Sequence, residues 1–330
     1  DKHEEKPFFL CASFTHPHDP YIITKEWWDL YDHDEVELPS AAAENFETMH
    51  PYNQWLQTHH MIDVYPPREE DVKNARHAYY SMVSYFDHLV GELVSELERL
   101  GLSENTLILV TSDHGEMLGE HGMWFKRTYF DGSARIPLIA AGSGVAEGKK
   151  TDHTFSLVDL LPTFCDLAKT DCVEPTPGAS LRELLSGNDS DDHDFAICEY
   201  LSEGVCEPMR MLVNDRGRWK YVYVHNHEEQ LFDLKKDPLE QNNIAHAPEN
   251  SERVQNMRQQ LLDDWDPATI KEQVMNSQQR RRFVHAANAE APDLSWDIQP
   301  TIDARQQYVR ANNAQLTNVE RRLPKIEPFT

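Results

Sequence analysis

The chain has 330 residues, enough for one large domain with a smaller one beside it. Its 57 acidic and 31 basic residues give a formal net charge of −26, which argues against nucleic acid or an anionic membrane surface as a partner. Its five cysteines lack the spacing of a disulfide framework and no apolar run is long enough to cross a membrane, so we expect a cytoplasmic protein with reduced thiols.

The N-terminal region predicts a strand followed by a loop that carries two histidines. Residues 7–14 form an apolar run after a charged segment, which indicates an internal strand. His16 and His18 lie in the next loop, where neighbouring prolines restrict the backbone. Residues 21–69 are expected to form a long connecting segment that is partly helical. Because the chain opens directly into a strand without a methionine, we expect it to be the C-terminal part of a longer protein.

The next elements alternate between helix and strand. Apolar residues recur at helical spacing over 69–100, and Gly101 is expected to end this helix. The β-rich run 106–112 predicts a buried strand, and residues 136–141 and 154–168 predict a further strand and helix. This alternation is typical of an α/β domain, in which ligands bind beyond the carboxyl ends of the strands.

The pattern changes after a polar linker that ends at His193. Short runs of strand-forming residues predict a small antiparallel sheet, at 196–201, 209–213, 218–224 and 230–234. Residues 249–287 predict helix with a break near Pro267, and the tail beyond them is irregular and polar. We therefore expect an α/β domain, a sheet-and-helix subdomain and an extended tail, at residues 1–187, 188–290 and 291–330.

Residues 111–126 contain the groups best suited to catalysis. Asp113 and His114 directly follow a predicted strand, and a carboxylate beside an imidazole can bind a divalent metal. Lys126 can bring a second cation to the same place, and a metal with a lysine suits a tetrahedral oxyanion such as sulfate or phosphate. The plainer alternatives are a helix N-cap, a surface histidine and a solvated lysine.

Several segments resemble the sulfatase branch of the alkaline-phosphatase superfamily, and in particular its choline-sulfatase group. These segments, which keep the family's order, are 16–20, 111–138, 156–162 and 296–300 with the Arg-rich tail after it. The resemblance implies a mixed-sheet α/β sandwich of the alkaline-phosphatase type, followed by the small antiparallel sheet with its helices and the extended C-terminal tail. It also implies a sulfuric ester hydrolase, most specifically one that converts choline sulfate to choline and sulfate.

The same resemblance implies roles for individual residues. Asp113 and His114 would bind the metal, for which the family most often uses Ca²⁺; the imidazole ligand shifts the preference toward Mn²⁺, and Mg²⁺ is a further alternative. Lys126 would contact the sulfate oxygens and stabilise charge in the transition state. His18 would contact the ester and protonate the departing alcohol, which is a poor leaving group as an alkoxide.

Recognition of choline would require aromatic faces around a quaternary ammonium. We expect Trp124 and Trp296 to contribute them, although large aromatic side chains more often pack in cores. The run 312–316 departs from the acidic residue expected in the tail of choline sulfatases. We expect the tail, whose apolar anchors suit an interface, to contact a second copy in a homo-oligomer.

The nucleophile typical of the family is missing from the matched segments. Sulfatases carry a Cys- or Ser-x-Pro-Ser-Arg signature whose first residue becomes formylglycine, with two metal-binding aspartates still earlier. Cys206 fits this signature only in part and follows Asp113, whereas the family's nucleophile precedes it. We therefore expect the nucleophile in a preceding segment and no activity from this chain alone. Two alternatives stay open: a phosphonate monoester or phosphodiester hydrolase, and an inert or assembly-only product.

Overall fold

The computed structural model describes residues 7–188 and 194–289. The helices of the described chain are α1 (Lys25–Trp28), α2 (Pro51–His59), α3 (Glu69–Arg99), α4 (Asp131–Ala134), α5 (Leu160–Ala168), α6 (Arg182–Leu185), α7 (Ser251–Leu262) and α8 (Pro267–Ala289). The strands are β1 (Leu107–Thr111), β2 (Leu138–Gly142), β3 (Phe195–Tyr200), β4 (Met209–Asn214), β5 (Trp219–Val224) and β6 (Gln230–Asp233). No helix in these two ranges is both long and apolar enough to cross a bilayer.

The longest helix, α3, forms where the sequence predicts it. At its start the Asp71 carboxylate accepts a hydrogen bond from the Arg68 backbone N–H at 3.0 Å, and three acidic residues in the first turn favour the positive end of the helix dipole. Gly101, with φ of +69°, follows its C-terminal end and takes a left-handed conformation that other residues adopt only at a cost.

The strands β1 and β2 pair with each other in an antiparallel two-stranded sheet. Leu107 lies opposite Gly142, and Thr111 lies opposite Leu138. The positions of both strands agree with the prediction, but β1 is half-buried along its length rather than buried. Ile139 in β2 is 62% exposed, so the described residues leave one face of this sheet largely uncovered.

The prediction of a strand at residues 7–14 is wrong for the described chain. These residues lie in coil, and Phe9 and Leu10 are more than 70% exposed. An apolar run is necessary for an internal strand, but the strand exists only if its backbone groups pair with a neighbour. Among the described strands none pairs with this segment, since β1 and β2 form a sheet of two.

The four strands β3 to β6 form an antiparallel sheet in sequence order, and this prediction is confirmed. The helical region after it is also confirmed, with the break between α7 and α8 falling just before Pro267. All residues of β5 and β6 are buried, because the sheet is covered on both faces. One face packs against α7 through Leu212, Tyr221, Leu231, Met257 and Leu261. The other packs against α2 and the 117–130 segment through Tyr52, Leu56, Met117, Met123, Tyr129, Phe130, Val222, Val224 and Phe232.

Candidate functional site

Asp113 and His114 lie just beyond the carboxyl end of β1. His114 Nδ1 donates a hydrogen bond to the Gly115 carbonyl at 2.7 Å, so this nitrogen carries the proton and Nε2 has a lone pair. That Nε2 lies 3.6 Å from Asp113 Oδ2, and the Asp113 side chain is 84% exposed against 31% for His114. A nitrogen donor and an oxygen donor therefore face the same side of the loop, at a spacing that one metal ion can bridge.

The backbone that carries this pair is held against α4. Gly115 N–H donates to the Ser133 carbonyl at 2.7 Å. A Cβ at Gly115 would lie 2.1 Å from the Gly132 carbonyl oxygen, which is far inside van der Waals contact. Only glycine permits this close approach of two backbones, so Gly115 fixes the direction in which Asp113 and His114 leave the strand.

The next loop returns the chain to the same place and delivers Lys126. Met117 N–H donates to the Phe125 carbonyl and Gly119 N–H donates to the Met123 carbonyl, each at 2.9 Å. These two bonds close residues 117–125 into a hairpin-like loop whose ends are adjacent. Lys126 follows directly and emerges beside the start of the loop, where the candidate metal ligands lie.

The structure brings together Lys126 and His18, which are 108 positions apart. The distance from Lys126 Nζ to His18 Nε2 is 2.8 Å. His18 Nδ1 lies 2.7 Å from the Asp19 carbonyl and 2.9 Å from the Asp19 carboxylate, two groups that only accept, so Nδ1 carries the proton. Nε2 is then the acceptor for the Lys126 ammonium. The centres of the His18 and His114 rings are 6.2 Å apart, so His18 and Lys126 lie in the same cleft as the candidate metal ligands.

The residues present fit a divalent metal only in part. Asp113 and His114 provide one oxygen and one nitrogen, the ligand types that Ca²⁺, Mn²⁺ and related ions accept. Within residues 7–188 and 194–289, no group of three or more His, Cys, Asp or Glu side chains has the arrangement of a metal site. A metal held here would therefore need further ligands from outside the described residues.

The aromatic residues considered for choline have packing roles in the described structure. Trp124 is only 7% exposed, and its ring lies 6.2 Å from that of Tyr21. A direct contact between Trp124 and a substrate stays a prediction. Trp296 lies outside the described residues, as does the whole of the predicted C-terminal tail.

Sequence reasoning missed the partners of Arg127. This residue has φ of +86°, its Nη1 lies 2.9 Å from His60 Nε2, and its Nη2 donates to Glu203 at 2.6 Å. Burial, with the Arg127 charge as a further cause, lowers the pKa of His60 to about 4. The position of Arg127 next to Lys126 could have marked it, but its partners lie 67 and 76 positions away and carry no local signal.

Cys206 lies in a different environment from these groups. It is exposed and lines a cavity of about 250 Å³ between the 201–208 loop and α8, together with Lys271 and Met275. Neither His18 nor Lys126 is among the residues that line this cavity.

Three family models match the chain. The model described as Sulfatase matches residues 1–170, and the C-terminal model of N-sulphoglucosamine sulphohydrolase matches residues 119–266. The model described as choline sulfatase enzyme C terminal matches residues 272–323.

Curated relatives agree with these matches. A choline-sulfatase of Rhizobium meliloti is 37% identical over 99% of this chain and 64% of its own length. An arylsulfatase of Clostridium perfringens is 30% identical over 78% of this chain and 53% of its own length. The chain thus spans between about half and two thirds of the length of these relatives.

Solved structures share the fold. A phosphonate monoester hydrolase of Agrobacterium radiobacter superposes with a TM-score of 0.67 at 24% identity, over 79% of this chain and 57% of that one. A 2-O GAG sulfatase superposes with a TM-score of 0.61 at 29% identity, over 73% of this chain and 53% of that one. The expected mixed α/β fold of the alkaline-phosphatase type is confirmed by these neighbours.

Proposed function

The chain belongs to the sulfatase family, and from this premise we propose that it takes part in the hydrolysis of choline sulfate to choline and sulfate. The observation that carries the proposal is the 2.8 Å contact between Lys126 Nζ and His18 Nε2 beside Asp113 and His114. It supports the proposal because a cationic side chain and an imidazole meet there, as charge stabilisation and proton transfer would require. The choice of choline as the alcohol is supported by the 37% identity to the Rhizobium meliloti choline-sulfatase and by the C-terminal family match.

Lys126 binds the sulfate group in this proposal. Its ammonium has three N–H donors, of which one is directed at His18 Nε2. The other two can reach oxygens of a sulfate ester without breaking that contact. The positive charge neutralises the negative charge that builds on the sulfate oxygens as the ester bond breaks.

His18 and Lys126 together hold the proton that the leaving alcohol needs. Because His18 Nδ1 is already protonated and faces Asp19, the proton available at Nε2 is the one shared with Lys126 Nζ. When the sulfur–oxygen ester bond breaks, this proton passes from Lys126 Nζ through His18 Nε2 to the departing alkoxide, which leaves as the alcohol, and Lys126 regains its proton from solvent. Asp19 keeps the His18 ring in the orientation that directs Nε2 towards Lys126.

Asp113 and His114 would hold the divalent metal, which we propose to be Ca²⁺, with Mn²⁺ or Mg²⁺ as alternatives. When bound, the metal would supply a second positive charge for the sulfate oxygens. We assign the nucleophile to a formylglycine outside residues 1–330, because Cys206 lines a separate cavity. We further propose that Trp124 and Trp296 contribute to the choline pocket, that residues 291–330 contact a second copy of the protein, and that the protein is cytoplasmic.

The test compares three substrates of the full-length protein: choline sulfate, p-nitrophenyl sulfate and bis(p-nitrophenyl) phosphate. We expect the highest kcat/KM for choline sulfate. A preference for the phosphodiester would instead favour the phosphonate and phosphodiester hydrolases of the same superfamily. No turnover of any substrate with metal supplied would favour an inert or assembly-only product.

Two variants test the residue roles. Lys126→Ala should lower kcat about 100- to 1000-fold on both sulfates, as loss of a transition-state donor does, whereas the exposed control Lys150→Ala should not. His18→Gln should cost about 100-fold on choline sulfate but far less on p-nitrophenyl sulfate, since p-nitrophenolate leaves without a proton. Equal losses on both sulfates would contradict the proposal that His18 passes the proton to the alcohol.

A further inference from the structure

One carboxylate joins the two arms of the loop that carries the candidate site. Glu116 Oε1 accepts a hydrogen bond from Phe125 N–H at 2.6 Å and another from Leu118 N–H at 3.2 Å. Glu116 lies two residues after His114, and Phe125 lies immediately before Lys126. The Glu116 side chain therefore connects the arm with the candidate metal ligands directly to the arm with Lys126.

The two residues that Glu116 holds have unfavourable backbone conformations. Leu118 has φ of +47° and Phe125 has φ of +64°, both in the left-handed region. Side chains other than glycine disfavour that region, so such conformations persist only where the surroundings impose them. The backbone N–H groups that donate to Glu116 are those of Leu118 and Phe125, the same two residues that have the left-handed conformation. The carboxylate thus supplies the contacts that stabilise the two bends of the loop.

The surroundings leave Glu116 little freedom to move. The Tyr21 hydroxyl is buried beside the carboxylate, and burial together with the neighbouring Glu116 raises the pKa of Tyr21. The Tyr21 ring in turn lies against Trp124 of the loop. Glu116 is half-buried against Tyr21 and the loop backbone, which is why it can act as a fixed anchor.

We propose that Glu116 is a positioning residue, which holds the 117–125 loop in the conformation that keeps the Lys126 ammonium at His18. This inference rests on the proposed role of Lys126 in the reaction. Without the carboxylate, Phe125 N–H and Leu118 N–H lose their acceptor and the two left-handed residues can relax. A shift of about 1 Å at Lys126 is enough to lower the rate about 100-fold, because the ammonium must meet a transition state of fixed geometry.

The kinetic test uses Glu116→Ala and Glu116→Gln in the full-length protein with choline sulfate. Glutamine keeps an oxygen at the position of Oε1 and can still accept both N–H groups, whereas alanine cannot. We expect kcat to fall about 100-fold in Glu116→Ala with a smaller change in KM, and to stay within about tenfold of the parent in Glu116→Gln. Equal kcat in Glu116→Ala and the parent would overturn the inference.

Glu120 provides a matched control in the same loop. Its carboxylate accepts from Ala41 N–H at 2.7 Å and pairs with Arg76 at 3.2 Å, so it ties the loop to a different part of the molecule. Glu120→Ala should leave kcat close to that of the parent. A loss in Glu120→Ala as large as that in Glu116→Ala would mean that any carboxylate of the loop matters equally, and would overturn the specific role of Glu116.

A structural measurement separates this inference from the proposed function. In crystal structures of the variants, the distance from Lys126 Nζ to His18 Nε2 should remain near 2.8 Å in Glu116→Gln and increase in Glu116→Ala. A distance unchanged within about 0.5 Å in Glu116→Ala overturns the inference, whatever the activity. If instead Lys126→Ala retains full activity, the proposed function fails, while the measured distances still decide the role of Glu116.

Discussion

The two sheets of the described chain differ in how they are covered, and the difference shows what holds the candidate site in place. In β5 all six residues are buried, between α7 on one face and the 117–130 segment on the other. In the β1–β2 sheet, by contrast, Ile139 is 62% exposed and β1 is only half-buried. The candidate site follows β1 in sequence, but its loop packs through Met117 and Met123 into the core of the other sheet.

A buried ionic cluster strengthens this attachment. Lys220 of β5 is fully buried, and its Nζ donates to the Tyr129 carbonyl at 3.0 Å, to Asp131 at 2.5 Å and to Glu240 at 2.6 Å. Burial alone would lower the pKa of Lys220, but the two carboxylates outweigh it and raise the pKa above its ordinary value. Asp131 begins α4, against which Gly115 packs, so the cluster connects β5 to the backbone under the site.

The largest expected effect comes from breaking this cluster. Lys220→Ala should lower the free energy of unfolding by about 3–5 kcal/mol, because it leaves Asp131 and Glu240 without their cation in a buried place. Urea denaturation of the parent and the variant measures the difference. The control is Lys236→Ala, whose side chain is 79% exposed and which should change little. A loss below about 1 kcal/mol in Lys220→Ala would show that the cluster does not anchor the site to β5.

Truncation of one aliphatic side chain to alanine in each of the two sheets tests the comparison directly. Leu231→Ala in β6 removes a fully buried side chain and should cost about 2–5 kcal/mol. Ile139→Ala in β2 removes an exposed one and should cost less than about 0.5 kcal/mol. Thermal or urea unfolding of the 330-residue chain measures both. Equal losses would mean that β2 is covered by residues outside the described ranges.

A moderate effect is expected at Arg210, which ties the covered sheet to the connection between α7 and α8. Its guanidinium donates to Glu199 at 2.8 Å and to Asp264 at 3.0 Å, and it lies 5.0 Å from the centre of the Trp265 ring. Arg210→Gln should cost about 1.5 kcal/mol in unfolding free energy, since hydrogen bonds to charged groups and a cation–π contact are lost.

The conservative variant at the same position sharpens this prediction. Arg210→Lys keeps the charge but lacks the planar guanidinium, whose several N–H groups donate in fixed directions. It should therefore recover only part of the unfolding free energy that Arg210→Gln loses. Full recovery in Arg210→Lys would show that charge alone is needed there. A neutral Arg210→Gln would show that the connection between α7 and α8 does not depend on this side chain.

The smallest effect is expected at His60, which joins the site loop to the covered sheet through Arg127 and Glu203. Burial, assisted by Arg127, lowers the pKa of His60 from 6.5 to about 4. Between these two pH values the unfolded chain binds a proton that the folded chain does not, so folding stability falls as pH falls from 6.5 towards 4 and is fully present above 6.5.

The measurement is the difference in unfolding free energy between the parent and His60→Gln as a function of pH. The parent should lose about 1 kcal/mol relative to the variant over this window, less than the full shift implies because His60 is partly exposed to solvent. Parallel pH profiles for the two proteins would contradict the prediction.

Much of the fold could be predicted because it depends on local patterns. The helical spacing of apolar residues predicted α3 to within one residue of its C-terminal end, and the strand-forming runs predicted β3 to β6. The position of Asp113 and His114 after a strand was also visible, since a β-rich run ends directly before them. These features follow from backbone periodicity, capping and chain direction, which neighbouring residues determine.

The tertiary structure alone decided which distant groups meet. Lys220 is the one charged residue in an otherwise apolar strand, and it is fully buried because Asp131 and Glu240 come from other segments to neutralise it. Glu116 became an anchor only through the two N–H groups that the loop brings back to it.

The same reason explains the failure at residues 7–14 and the contact between His18 and Lys126. A strand requires a partner strand and a hydrogen-bond donor requires an acceptor, and in both cases the second member is distant in sequence. The sequence by itself therefore determined the helices α3, α7 and α8, the strands β1 to β6 and the chemical types at the candidate site. Only the tertiary structure decided their pairing and burial, because these depend on contacts between segments that no local pattern encodes.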